Sequence, residues 1–141
     1  MMWKTLTLIS VSILLFSCKT YTITPESFKE QFATIEYDES YSKSVLSGPI
    51  YYNGYVIKNI KVITKEGNLK VLDNDPALEM RVTLKNGKRK IIYFDSMKLE
   101  HDTLKGSKAR FFSKLITKVP FSEVTKIEIQ ESGKKIKYVN N

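Results

Sequence analysis

The cleanest alternation of apolar and polar residues runs through "LEMRVTLKNGKRKIIYFDS", residues 78–96. The period is two on both sides of Asn86-Gly87, as a half-buried antiparallel hairpin requires. A two-residue type I′ turn at Asn86-Gly87 pairs Lys85 with Lys88, Leu84 with Arg89 and Val82 with Ile91. Met80, Val82, Leu84, Ile91 and Tyr93 then share an inward face, with Arg89 near the tip. Arg81, Thr83, Lys85, Lys88 and Lys90 make a basic outward face.

Other segments follow the same rhythm. "GPIYYNGYVIKNIKVITKEGNLKVL" carries turn signals at Asn53-Gly54 and Glu66-Gly67-Asn68, which predicts strands over 49–52, 55–64 and 69–72. Residues 73–77 form a loop, since Pro76 has no N–H for a ladder. "SMKLEHDTLKG" turns near His101-Asp102. "EVTKIEIQESGKKIKYV" reads as a closing hairpin turning near Ser132-Gly133, its inner face Ile127, Ile129, Ile136 and Tyr138. The segment 35–48 is mixed, with irregular or short strand structure.

One stretch has the helical period. In "TPESFKEQF", Thr24 suits a cap, Pro25 the first helical position and Glu26 the positive end of the dipole. Phe28 and Phe32, four apart, share a face, which predicts a helix over 25–34 docked on the sheet. At least six short strands with a single helix predict a mainly β domain over 25–141. Its expected form is a small antiparallel barrel or sandwich with one short N-terminal helix. The hydrophobic fraction of 42% supports such a core. "RVTLKNGKRK", "DTLKG" and "VPFSEVTKIEIQ", within residues 79–139, resemble small β-barrel domains with strongly bent strands. In those a one-turn helix, here "PFSEV", precedes the last strands. That resemblance implies a fold and no activity.

The N-terminus is a different kind of text. Lys4 precedes an apolar run from Leu6 to Phe16, shorter than the roughly 20 residues a membrane-spanning helix needs. Leu15, Phe16, Ser17 and Cys18 resemble the lipobox of bacterial lipoproteins. The resemblance implies removal of residues 1–17, a diacylglyceryl thioether on Cys18, a further acyl chain such as palmitate on the new N-terminus, and a lipidated tether over 18–24. Lys19, where an Asp would imply retention at the inner membrane, implies the outer membrane of the cell envelope. The competing reading is an ordinary signal peptide with an incidental Cys. Cys18 is the only cysteine, so the exported domain has no disulfide.

Charge then narrows the partners. The formal net charge is +8, and it is unevenly spread. Residues 19–80 carry 7 basic and 9 acidic side chains, residues 81–141 carry 15 basic and 6 acidic. The basic half offers Lys85, Lys88, Arg89 and Lys90 at one hairpin tip, and Lys134 and Lys135 near another. If "SKARFFSKLITK" is extended, Arg110, Phe112, Lys114, Ile116 and Lys118 line one face. Basic residues interleaved with an aromatic also suit nucleic acid, but the export signal argues against that partner. An anionic lipid headgroup, lipopolysaccharide, a cell-wall polymer or an acidic protein surface fits better. Lysines on strand edges also guard against aggregation with no partner at all. Five of eight tyrosines lie between 37 and 55; Tyr51, Tyr52 and Tyr55 are candidate aromatic contacts, or a cross-strand cluster at an Asn53-Gly54 hairpin.

Catalytic signals are few. His101, between Glu100 and Asp102, reads as an exposed turn residue with no nucleophile motif to serve. "DNDPALE" offers Asp73, Asp75 and Glu79, but lacks the glycine and the length of a calcium loop. No phosphate-binding or dinucleotide fingerprint is present, and no cofactor or metal is expected. The leading expectation is a lipid-anchored, non-catalytic binding or structural module of the cell envelope. Its rivals are an inhibitor or immunity-type lipoprotein that blocks a partner protein, and a hydrolase acting on envelope material through carboxylates that only the fold brings together.

Overall fold

The computed structural model describes residues 19–33, 39–44, 49–55, 59–75, 77–93, 96–108, 115–131 and 136–138, with backbone alone for 39–44, 49–55 and 136–138. The elements are β1 (Thr20–Ile23), α1 (Pro25–Ala33), β2 (Glu39–Ser44), β3 (Pro49–Tyr55), β4 (Asn59–Ile63), β5 (Leu69–Asp73) and β6 (Leu78–Leu84). They continue with β7 (Arg89–Tyr93), β8 (Lys98–Glu100), β9 (Thr103–Ser107), β10 (Ile116–Pro120), a 3-10 turn at Phe121–Glu123, β11 (Val124–Glu131) and β12 (Ile136–Tyr138). A six-stranded antiparallel sheet has the order β5-β4-β1-β11-β6-β7. Two three-stranded sheets have the orders β10-β9-β8 and β12-β2-β3. The chain is mainly β with one short N-terminal helix. Among the described residues its sheets stay open rather than closing into a barrel, a sandwich-like arrangement.

The inner face of the large sheet, α1 and the β8–β10 sheet share one core. Ile23, Ile60, Val62, Met80, Val82, Ile92, Ile127 and Ile129 come from the large sheet, and Leu104 and Val119 from β9 and β10. Gly106 of β9 approaches Ile92 of β7 so closely that a methyl group there would overlap the Ile92 side chain. The expected cap on α1 forms: Ser27 N–H donates to Thr24 Oγ1 at 3.2 Å and Phe28 N–H to the Thr24 carbonyl at 2.9 Å. Phe28 and Phe32 are buried and stack at 4.1 Å, and Phe28 also stacks on Phe121 of the 3-10 turn at 5.7 Å.

The segment read as a tether is instead structural. Thr20–Ile23 lies in the middle of the large sheet, with its four residues in register with Gln130, Ile129, Glu128 and Ile127. Tyr21 and Ile23 are buried. This corrects a second expectation. Both edges of β11 are taken, by β1 and β6, so β12 cannot fold back on β11 as a closing hairpin. It pairs with β2.

β1 meets β4 only at Thr22–Ile63, because the chain leaves the sheet for the helix after Ile23. Gln31 of α1 fills the remaining ladder position. Its Oε1 accepts from Lys61 N–H at 2.8 Å and its Nε2 donates to the Lys61 carbonyl at 3.1 Å. The side-chain amide thus takes the place of a strand peptide and satisfies two backbone groups at once.

Loop length resets the clearest hairpin by one residue. Leu84 N–H donates to the Lys88 carbonyl and Gly87 N–H to the Leu84 carbonyl, with Gly87 at φ +77°. The connection is therefore three residues, a type I turn closed by a left-handed glycine. Val82 pairs with Lys90 and Met80 with Ile92, rather than Val82 with Ile91. A slip of one residue inverts every side chain on the strand. Ile92 enters the core, Ile91 is 44% exposed and Arg89 turns outward. The turn at Gly67 is of the same kind, with Gly67 N–H on the Thr64 carbonyl and φ +86°.

Asn53-Gly54 is not a turn. Both residues lie within β3, between the register pairs Glu39–Tyr55 and Tyr41–Tyr51. Three residues of β3 there face one of β2, so the dipeptide supplies an irregularity in a continuous strand. Tyr51, Tyr52 and Tyr55 consequently share one strand instead of flanking a hairpin.

Candidate functional site

The inverted register of β7 builds a concave surface on the basic half. Arg89 and Ile91 project from its outer face, and Tyr93, in register with Glu79 of β6, continues that row. Lys108, just beyond β9, and Thr117 of β10 close the other side. Together with Lys90 they line an open groove of about 460 Å³. Lys108 is fixed there by its N–H, which donates to the Leu115 carbonyl at 2.9 Å and extends the β9–β10 ladder. Below it, Ser96 Oγ accepts from Ser107 N–H at 2.9 Å and donates to the Tyr93 carbonyl at 3.0 Å. This ties the β9 end to the β7 end.

The groove combines apolar and cationic lining residues. Tyr93 is 9% exposed and Ile91 half exposed. Of its lining residues Arg89, Lys90 and Lys108 are basic and Glu79 alone is acidic, the Glu79 carboxylate accepting a bond from Gln130 Nε2 at 3.3 Å. At an open site each ion pair is worth on the order of 1 kcal/mol and is weakened by salt. The arrangement suits an anionic group carried on a partly apolar scaffold.

The residues predicted as contacts divide in three. Arg89 and Lys90 meet in the groove. Lys85 and Lys88 are exposed at the adjacent turn and belong to the same basic surface. Arg110, Lys114, Lys134, Lys135 and Cys18 lie outside the described residues, as do the side chains of Tyr51, Tyr52 and Tyr55. Ile116 and Lys118 are both exposed on β10, as the extended reading of that stretch expects. Sequence reasoning missed Lys108, Ile91 and Tyr93 as groove residues. The signal was the glycine at the third loop position in Lys85-Asn86-Gly87, which also supports a three-residue turn.

A second depression, of about 400 Å³, lies where β1 begins, lined by Lys19, Thr20, Tyr21, Thr64, Lys65, Glu66 and Lys70. The Lys70 ammonium donates to the Tyr21 hydroxyl at 3.0 Å and stands 4.9 Å from the centre of that ring. The hydrogen bond raises the Lys70 pKa. A hydrogen bond from the Thr64 hydroxyl holds the Glu66 carboxyl below its ordinary value.

The acidic loop has a local role. Asp75 Oδ1 accepts from Ala77 N–H at 2.7 Å and its carbonyl from Leu78 N–H at 2.9 Å, a turn that delivers the chain into β6. Among the described residues no three His, Cys, Asp or Glu side chains gather as a metal site, and no helix is long and apolar enough to cross a membrane. His101 is exposed in the β8–β9 turn. No protein-family model, curated protein or solved structure matches the chain.

Proposed function

We propose that this chain is a lipid-anchored, non-catalytic binding module of the cell envelope, acylated at Cys18 and engaging an anionic envelope component through the β7 groove. The observation that carries the reading is that Arg89 of β7 and Lys108, just beyond β9, line one groove together with Lys90, Ile91 and Tyr93. A basic surface that only guarded strand edges would not need apolar lining of this kind. The lipobox-like "LFSC" supplies the anchor, and the residue after it, Lys19, favours the outer membrane. With the chain exported, lipopolysaccharide or an anionic cell-wall polymer is the partner that matches the groove, and nucleic acid is not.

The experiment is retention of the purified protein on lipopolysaccharide and on isolated cell-wall polymer across a salt series. Reversing Arg89 and Lys90 to Glu weakens retention while leaving the unfolding midpoint in place, because both side chains are exposed. Retention that ignores both salt and the double variant refutes the groove as the binding site. Separately, Cys18→Ser abolishes membrane fractionation or stalls processing; a variant that matures and fractionates normally refutes the anchor.

A further inference from the structure

The start of β1 stands very close to the residue proposed to carry lipid. Cys18 and Thr20 are two peptide steps apart, at most ~7 Å at full extension. Thr20 opens a strand fixed on both sides in a six-stranded sheet. Once Cys18 is held at a bilayer surface, the sheet therefore cannot swing freely above it. The end of the sheet that contains Thr20 must face the lipid.

Register identifies what else lies at that end. Thr22 pairs with Ile63, so the antiparallel chain runs on through Thr64 and Lys65 beside Thr20. The β4–β5 turn sits there, followed at once by Leu69, 69% exposed, and two positions on by Val71, 52% exposed. Leu69 is the most exposed large apolar side chain described, and it occupies an edge strand next to a turn. The ammonium groups of Lys19, Lys65 and Lys70 gather around the same depression and outnumber the nearby carboxylates of Glu66 and Glu131. By contrast Asn86 lies at the opposite end, since β11 brings Gln130 beside Thr20 but Val124 beside Leu84.

From this geometry we infer that the start of β1 and the β4–β5 turn form a foot on which the domain rests on an anionic bilayer surface. Leu69 enters the interface, and Lys19 and Lys65 meet lipid phosphates. The orientation depends on the acylation of Cys18 proposed above, whereas the contact itself depends on Leu69 and Lys65. An apolar side chain flanked by lysines is the composition that interfacial contact requires. Each lysine near an anionic surface adds about 1 kcal/mol, or about five-fold in occupancy. The β6–β7 turn and its lysines are then presented away from the membrane.

Full-length protein, matured in cells and purified in detergent, is reconstituted into phosphatidylcholine vesicles with and without phosphatidylglycerol. Acylation leaves no native thiol, so Leu69→Cys and Asn86→Cys each carry a single polarity-sensitive fluorophore. The expected result is a blue-shifted probe at position 69, quenched several-fold more than the probe at 86 by lipids spin-labelled at the interface. Lys65→Gln lowers the docked fraction about five-fold on phosphatidylglycerol vesicles. Equal quenching at 69 and 86 in acylated protein overturns the foot and leaves the anchor standing. A Cys18 peptide without the added acyl mass overturns the anchor instead.

Discussion

The hairpins β6–β7 and β8–β9 lie side by side in the chain and solve the same problem in opposite ways. The first takes three loop residues and puts a glycine at φ +77°. The second takes two, His101 and Asp102, at φ +46° and +59°, with Glu100 and Thr103 paired across them. Left-handed backbone costs non-glycine residues roughly 1–2 kcal/mol each, less for Asp. The second turn is held in place from outside. Phe121 N–H donates to the Asp102 carbonyl at 2.8 Å, and the Lys29 ammonium of α1 meets Asp102 Oδ1 at 2.9 Å. The first tip is tied to the 3-10 turn only at its first residue, where Lys85 N–H donates to the Glu123 carbonyl at 2.9 Å, and its free end supplies its own glycine, whereas the buttressed tip can hold a conformation its residues disfavour. The first tip is also the basic one, with Lys85 and Lys88 exposed.

The sharpest way to break the comparison is to push the two hairpins apart where they touch. Gly106→Ala forces a methyl group into Ile92 and is expected to cost about 3 kcal/mol in chemical denaturation, with Ile92→Ala recovering part of the loss in the double variant. A Gly106→Ala chain as stable as the parent would mean that β9 does not seat on β7. Gly87→Ala acts on the first tip alone and should lower stability by about 1 kcal/mol. His101→Gly relieves the buttressed tip and should raise the unfolding free energy by about 0.5 kcal/mol, because the left-handed strain exceeds the entropy lost with glycine. If His101→Gly destabilises instead, the two turns are not opposites in strain.

The smallest expected effect concerns the third hairpin, whose loop also supplies its own glycine. The folded pKa of Glu66 is lowered, so its contribution is present above the unfolded value and is lost as pH falls through the folded one. Thr64→Val should therefore lower stability at neutral and alkaline pH and shallow the acid-side slope, so that parent and variant differ in acid only by the lost bond from Asn68 N–H to the same hydroxyl. A parent and variant with identical pH profiles would show that the Thr64–Glu66 bond adds nothing to the fold.

Much of the architecture was legible in local chemistry. The capped helix with Phe28 and Phe32, the turn at His101-Asp102 and the short helix at "PFSEV" depend on neighbours within a few residues. Register and pairing did not follow. Asn86-Gly87 reads equally as a two-residue or a three-residue loop, and that one residue decides whether Ile91 or Ile92 is core. "TYTI" alternates strictly but over only four residues, too short to mark a strand by itself; β11 and β4 give it a place. The groove inherits both difficulties, since it joins Arg89 to Lys108 through a register and a sheet contact that spacing does not encode.

The central position of β1 also has a mechanical meaning. Tension arriving through the N-terminus would pull along the axis of a strand with antiparallel neighbours on both sides. Such a load shears several ladder bonds together, whereas a pull on an edge hairpin would open them one after another. The domain would thus meet a pull through its N-terminus with the ladder between β1 and β11 loaded as a unit.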